Sequence, residues 1–140
     1  HAPSAGNRQP WFFYVVKDPK VREDLAKAAF GQSFLKEAPV DIVVCVEPER
    51  SATRYGERGA ELYCFQDTAA AAQNILLMAE GLGLSTCWVG AFDEKAVSQI
   101  LEIPSGRRPV AIIPVGYSIL AAPPKPPARR TLDEVVKIVN

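Results

Sequence analysis

Histidine is almost missing from this chain: His1, at the very terminus, is the only one. A Ser-His-Asp or Cys-His mechanism therefore has no base to work with. Cysteine is sparse and unpatterned. Cys45, Cys64 and Cys87 are odd in number, far apart and set among apolar residues. With no Cys-x-x-Cys and no Cys/His ligand spacing, no metal site is expected, and the thiols read as buried and reduced in a cytoplasmic protein. Net charge is lacking too, because sixteen basic residues balance sixteen acidic ones. That balance withholds the electrostatic footprint of a nucleic-acid binder. No apolar run reaches the length of a membrane span; Val110 to Ala122 comes nearest and is interrupted by Pro114 and Gly116. No secretory signal pattern is visible. Gly56 and Gly59 do not make a dinucleotide fingerprint, and G-x-G-x-x-G occurs on no strand-to-helix turn. There is no initiator Met, so a processed, truncated or partial chain is expected.

What is present is 140 residues, 48% hydrophobic and 23% charged, the make-up of one globular domain over residues 1–140 with a core of its own. The stretch from Asp67 to Phe92 organises it. Between Asp67 and Glu80 the only polar residues are Thr68, Gln73 and Asn74, which predicts a central helix buried nearly all round. Gly81 and Gly83 supply left-handed positions to end it. Leu84 to Val89 then reads as a short inner strand, broken at Gly90-Ala91, where backbone amides can meet a planar ligand.

Around this centre the chain alternates strand and helix. His1 to Trp11 is a loop by composition, with Pro3, Gly6, Asn7 and Pro10 favouring turns. Its Ser4, Asn7 and Gln9 can offer donors and acceptors to a ligand, although local turn chemistry explains the same residues and is the reading they favour on their own. Phe12 to Val16 is a strand. Asp18-Pro19 opens a helix with Val21, Leu25, Ala28 and Ala29 at helical spacing, and Gly31 stops it. Gln32 to Glu37 is a connector. Val40 to Val46, apolar apart from Asp41, is an inner strand covered on both faces. Pro48 to Gly59 reads as a polar loop whose Arg50, Arg54 and Arg58 could form an anion patch, although scattered, solvated charges explain them better. Asp93 caps a helix to about Leu101, with Val97, Ile100 and Leu101 inward. Pro109 to Tyr117 is a buried strand in which Pro114 marks an edge, bulge or end. Ala121 to Ala128 holds four prolines and runs extended, so residues 121–140 form a C-terminal arm. Thr131 starts a last segment of open type.

Two separated motifs then fit one family. The run from Ala2 to Trp11, APSAGNRQPW, resembles the PS-x-x-N-x-QPW loop of the FMN-dependent nitroreductases, and Gly81 to Phe92, GLGLSTCWVGAF, looks like that family's helix end and flavin loop. RYGERG, QDTAAAAQNILLMAEGLG, RPVAIIPVGY and the closing Arg129-Arg130-Thr131-Leu132 also match, so the resemblance covers nearly the whole chain in order. It implies an α+β fold of three α/β/α layers, a mixed and mainly antiparallel sheet flanked by helices. It also implies a homodimer with FMN at the interface, reduced by NAD(P)H and reoxidised by nitroaromatics, quinones or similar acceptors in a ping-pong scheme. By position, Pro3, Ser4, Ala5 and Asn7 contact the flavin from one subunit. Trp88, Val89, Gly90 and Ala91 lie against the ring near N5 from the other. Gln32 is placed at the pyrimidine edge, and Arg129 and Arg130 pair with the phosphate. No side chain is implied as a catalyst, because the flavin carries the chemistry. The family's upstream Arg-x-Ser-x-Arg phosphate motif does not occur in the 140 residues. Two other outcomes stay open: a flavin-binding module without turnover, and a specialised branch such as reductive dehalogenation or flavin fragmentation.

Overall fold

The computed structural model describes residues 1–119 and 125–139. Four strands form an antiparallel sheet in the order β1-β2-β4-β3, where β1 is Trp11–Val16, β2 Val40–Val46, β3 Ser85–Thr86 and β4 Arg108–Gly116. The sheet was expected to be mixed and mainly antiparallel, and among the described residues every strand pairing is antiparallel. Because side chains alternate along a strand, the sheet has two apolar faces. Val43, Cys45 and Ile112 point to one face and pack with Leu25, Leu35 and Val97. Val44, Ala111 and Ile113 point to the other and pack with Ala72. Helices α1 (Pro19–Ala28), α2 (Phe34–Glu37) and α5 (Glu94–Ile100) cover the first face, and α4 (Cys64–Gly81) covers the second. This is the three-layer α+β arrangement.

Local chemistry sets most of the boundaries. Asp18 accepts from the Lys20 and Val21 N–H groups and Asp93 from those of Lys95 and Ala96, so both caps form as the sequence predicts. At the end of α4 the Gly83 N–H donates to the Glu80 carbonyl and the Leu84 N–H to Ala79, with Gly83 at φ 74°. That is a Schellman closure, and it uses Gly83 alone; Gly81 is the last helical residue.

Several expectations are corrected. Pro48 to Gly59 is not a loop: α3 (Pro48–Arg58) occupies it, with Pro48 in the first turn, and a π-helical turn, Gly59–Tyr63, joins it to α4. Its Glu, Arg and Ala content has good helix propensity, and only Ser51 is buried, so no apolar stripe announces it. The connector at 32–37 contains α2. The α4 helix is buried on one side, leaving Leu77 62% and Met78 65% exposed. An open groove of about 920 Å³ runs beside it, lined by Trp11, Phe13, Val15, Ile42, Ile75 and Leu77 among others. The strand expected at Leu84 to Val89 is two residues long and lies at the sheet edge, followed by a lone bridge from Val89 to Ile112. Pro114 sits within β4, an inner strand. Since β3 pairs only with Val115 and Gly116, no β3 partner is asked to take the N–H that Pro114 lacks.

The thiols divide. Cys45 and Cys64 are buried, whereas Cys87 is exposed on the edge next to Trp88, contrary to expectation. Burial pushes the Cys45 thiol up to about 12. The proline arm expected at Ala121 to Ala128 falls partly outside the described residues. Residues 125–139 are exposed throughout, and a short helix, α6 (Leu132–Val135), answers the open question at Thr131. Glu134 closes its start by accepting from the Thr131 N–H and hydroxyl.

Candidate functional site

The N-terminal loop is held in a demanding shape. Ser4 is extended, a single turn follows over Ala5–Asn7, and φ is positive at Gly6 (53°), Asn7 (54°) and Gln9 (51°). Two of these carry side chains that rarely adopt the left-handed region. The loop supplies its own ties: the Ser4 hydroxyl accepts from the Gln9 N–H at 3.0 Å, and Gln9 Nε2 donates to Asn7 Oδ1 at 3.0 Å. The turn chemistry expected of these residues is therefore real. It uses one acceptor of each and leaves the Asn7 amide hydrogens outside any hydrogen bond among the described residues.

The body of the protein holds the loop from below. The Ala5 N–H donates to both Asp67 oxygens at 3.1 Å, and the Pro10 carbonyl accepts from the Glu47 N–H at 2.8 Å. Arg8 donates to the Arg50 carbonyl and to Thr53 Oγ1 on α3, both at 2.7 Å. Gly6 is favoured by its positive φ, and a Cβ there would lie 2.4 Å from Tyr55 Oη and 3.2 Å from the Arg54 guanidinium carbon, side-chain ends that would have to shift. Pro3 and Asn7 face outward, and Ser4 and Ala5 are half-buried.

A second group forms at the far end of the α4–β3 connection. Val89 is buried, and its N–H and carbonyl are both taken by Ile112, at 3.0 and 2.9 Å, so this residue anchors the loop. Trp88 before it is 42% exposed. Gly90 and Ala91 after it are exposed, and among the described residues neither N–H makes a hydrogen bond. Gly90 has no left-handed φ, and a Cβ built on it would meet nothing within 4 Å. Neither conformation nor packing inside this chain asks for glycine there. Gln32 joins this group: its Nε2 donates to the Ala91 carbonyl at 3.0 Å and to Ala29 at 2.9 Å.

Arg129 and Arg130 make a third group, in the exposed tail, where Arg130 donates to the Glu134 carbonyl. The structure thus brings Gln32 to the Gly90 loop. Within one chain, hydrogen bonds tie the N-terminal loop instead to α4 through Ala5 and to α3 through Arg8, and Arg130 to its own segment. Asp67 and Tyr55 are contacts that sequence reasoning did not single out, and Arg54, read there as a solvated charge, stands instead against Gly6. The signal for Asp67 was available: a lone carboxylate opening an apolar helix must find a donor when buried. Among the described residues no group of His, Cys, Asp and Glu could hold a metal ion, and no helix is long and apolar enough to cross a membrane.

The nitroreductase family model matches residues 1–33 and 29–117. The chain belongs to the nitroreductase family. An Archaeoglobus fulgidus protein provisionally named NADH dehydrogenase/NAD(P)H nitroreductase is 38% identical over 121 residues, covering 83% of this chain and 66% of that protein. A more distant relative, the FMN reductase (NADPH) of Bacillus subtilis, is 26% identical over 131 residues, covering 84% of this chain and 53% of the relative. Among solved structures, a nitroreductase family protein from Streptococcus pneumoniae TIGR4 superposes with a TM-score of 0.84 at 27% identity, over 97% of this chain and 82% of that one. The matched region thus spans between half and two thirds of the length of these two sequence relatives.

Proposed function

We propose that this nitroreductase family chain is part of a cytoplasmic FMN-dependent oxidoreductase. It takes hydride from NAD(P)H and delivers electrons to nitroaromatics, quinones or similar acceptors in a ping-pong scheme, as a homodimer with FMN at the interface. The observation that carries the reading is the bond from Gln32 to Ala91 beside Gly90. It joins an amide side chain, two unspent backbone N–H groups and a glycine with open space in front of it into one surface that fits a flat, polar-edged ring. The names of the relatives, an NAD(P)H nitroreductase and an FMN reductase, support the same chemistry.

When bound, FMN supplies the two-electron chemistry at its N5 position. The chain's own residues bind and orient. Gly90 and Ala91 would present their N–H groups to the ring edge, and Trp88 would shield it from water. Gln32 holds the loop through Ala91 and keeps its Oε1 for the pyrimidine side. Pro3, Ser4, Ala5 and Asn7 would face the ring from the other subunit, with the Asn7 amide hydrogens available as donors. Arg129 and Arg130 would reach the phosphate from the tail, a task suited to a guanidinium fork. The exposed Leu77 and Met78 and the apolar groove beside α4 give the second copy a surface to cover.

The deciding experiment is the visible spectrum of purified protein before and after anaerobic NAD(P)H. A flavin band that bleaches is expected. Bound FMN that NAD(P)H does not bleach points to a binding module without turnover, and protein that takes up no FMN on reconstitution removes the proposal.

A further inference from the structure

Asp67 is 8% exposed and sits near the start of α4, yet this is not a free helix end: the helix runs on from the π turn at Gly59–Tyr63 with helical backbone at Tyr63. No unpaired first-turn N–H groups are therefore at hand to serve the carboxylate, as they would be at a true N-terminus. The donor it has is the Ala5 N–H, which lies 3.1 Å from each oxygen. A carboxylate has about four acceptor positions, and one shared amide hydrogen fills few of them.

One neutral N–H does not call for an ion. An Asn or Ser at position 67 would accept the same bond without the desolvation of a buried charge. The partner, however, is no ordinary turn. Ala5 opens the segment in which Gly6, Asn7 and Gln9 all have positive φ. Strained backbone of this kind persists only where its surroundings over-determine it. Here the Asp67 carboxylate grips one end, the Ser4 hydroxyl closes the loop on Gln9 at 3.0 Å, and Tyr55 and Arg54 wall Gly6. The charge also lies directly beneath the residues proposed to face the flavin, in surroundings where screening by water is weak.

We infer that Asp67 is the positioning residue of the flavin loop: its carboxylate fixes the Ser4–Gln9 turn through Ala5, and its charge lowers the reduction potential of the ring that this turn faces. The inference rests on the flavin reading above. The sign follows from Coulomb's law, because adding electrons to a ring beside a fixed negative charge is disfavoured.

The test uses full-length protein reconstituted with FMN and with riboflavin. Asp67→Asn keeps the shape and an acceptor for Ala5 and removes the charge, so FMN should stay bound while its midpoint potential becomes more positive than in wild type. Asp67→Ala removes the acceptor. FMN and riboflavin should then weaken by the same factor, about tenfold or more for a lost bond to a charged group, since the loop faces the ring and not the phosphate. Amide exchange at Ala5 should speed up in the same variant. An unchanged potential in Asp67→Asn overturns the electrostatic part, and unchanged flavin affinity in a folded Asp67→Ala overturns the positioning part. If the alanine variant does not fold, Asp67→Leu, which keeps the volume and removes the acceptor, takes its place for the positioning part, with the same expected and overturning outcomes. Wild-type protein that binds no flavin removes the functional reading and this inference together, and so is told apart from a failure of the inference alone.

Discussion

Gln32 Nε2 donates to the Ala91 carbonyl at 3.0 Å, across 59 residues of chain. The bond crosses from the end of α1 to the loop that follows the sheet edge, and it fixes the Gly90 peptide from one side while the Val89–Ile112 bridge fixes it from the other. Gln32→Ala should therefore loosen the loop without touching the core. We expect FMN affinity to fall by about tenfold or more, because alanine removes the bonds from Nε2 to Ala91 and Ala29 and the Oε1 contact proposed for the ring, with an unfolding midpoint close to wild type. Titration of apoprotein with FMN, followed by flavin fluorescence, reads the first quantity. Unaltered affinity would show that the loop is held by Val89 alone.

Gly90 makes a cleaner separation between fold and site. A side chain there meets nothing within 4 Å in this chain, and the backbone is not left-handed. Gly90→Val should leave thermal stability within about 0.5 kcal/mol of wild type, the usual range for an exposed position. The branched side chain would nevertheless occupy the space assigned to the ring. We expect FMN affinity to drop at least as far as in the Gln32 variant. A folded valine variant that binds FMN normally would place the ring elsewhere.

Val40 to Val46 was legible to the residue, because Pro39 precedes it and a strand buried on both faces is a continuous apolar run. Asp18 and Asp93 were legible as caps, because their side chains act on their own backbone. The α3 helix was not, because its contacts with the N-terminal loop are polar and only Ser51 is buried, so it carries no apolar period. The edge position of β3 was hidden too: Leu84 to Val89 has the composition of an inner strand, and only pairing with β4 shows that two residues of it are used. In α4 the even apolar coat was visible, but not which side the sheet would take. For the candidate site, the loop residues were named from their motifs, whereas Asp67 was legible only as a lone carboxylate opening an apolar helix, its partner Ala5 lying 62 residues away.

Arg129 tests the phosphate assignment. It lies in the exposed tail, far in sequence from both loops, and contributes no packing to the core. Arg129→Ala should therefore weaken FMN by about tenfold, a charge-assisted bond to phosphate being worth roughly 1.5–3 kcal/mol, while riboflavin affinity stays the same. An equal loss for both ligands would mean that Arg129 acts on the tail and not on the phosphate.

Glu102 closes α5 in the left-handed region, at φ 51°, with its N–H donating to the Gln99 carbonyl and the Ile103 N–H to Ser98. This is the position that glycine fills in the corresponding closure of α4. Glu102 is exposed and has no ion pair among the described residues, so the substitution sacrifices little. Glu102→Gly should stabilise the fold by about 0.5–1 kcal/mol, the left-handed penalty less the extra chain entropy of glycine. Urea unfolding should show a higher midpoint with an unchanged slope.

Asp41 is the residue through which stability should respond to pH. It is fully buried on β2, opposite Val16 on one side and Pro114 on the other, and neither carboxylate oxygen has a hydrogen-bond partner among the described residues. Burial pushes its carboxyl up from the ordinary 3.8 to about 7, against the pull of the nearby Arg22 guanidinium. In the unfolded chain it ionises near the ordinary value. Between about pH 4 and pH 7 the folded state therefore holds the proton that the unfolded state has lost, and stability falls as pH rises through that window. Below it both states are protonated and the residue contributes nothing. Above it both are ionised and the full penalty applies, at most about 4 kcal/mol from the shift at 1.36 kcal/mol per unit. Asp41→Asn removes the titration but leaves Arg22 without its opposing charge, so its gain at pH 8 should be smaller, about 1–2 kcal/mol. Urea midpoints of wild type and variant across pH 5 to 8 check this. The wild-type midpoint should fall with pH relative to that of Asp41→Asn, and parallel curves would show that the carboxylate ionises at an ordinary pH in the fold.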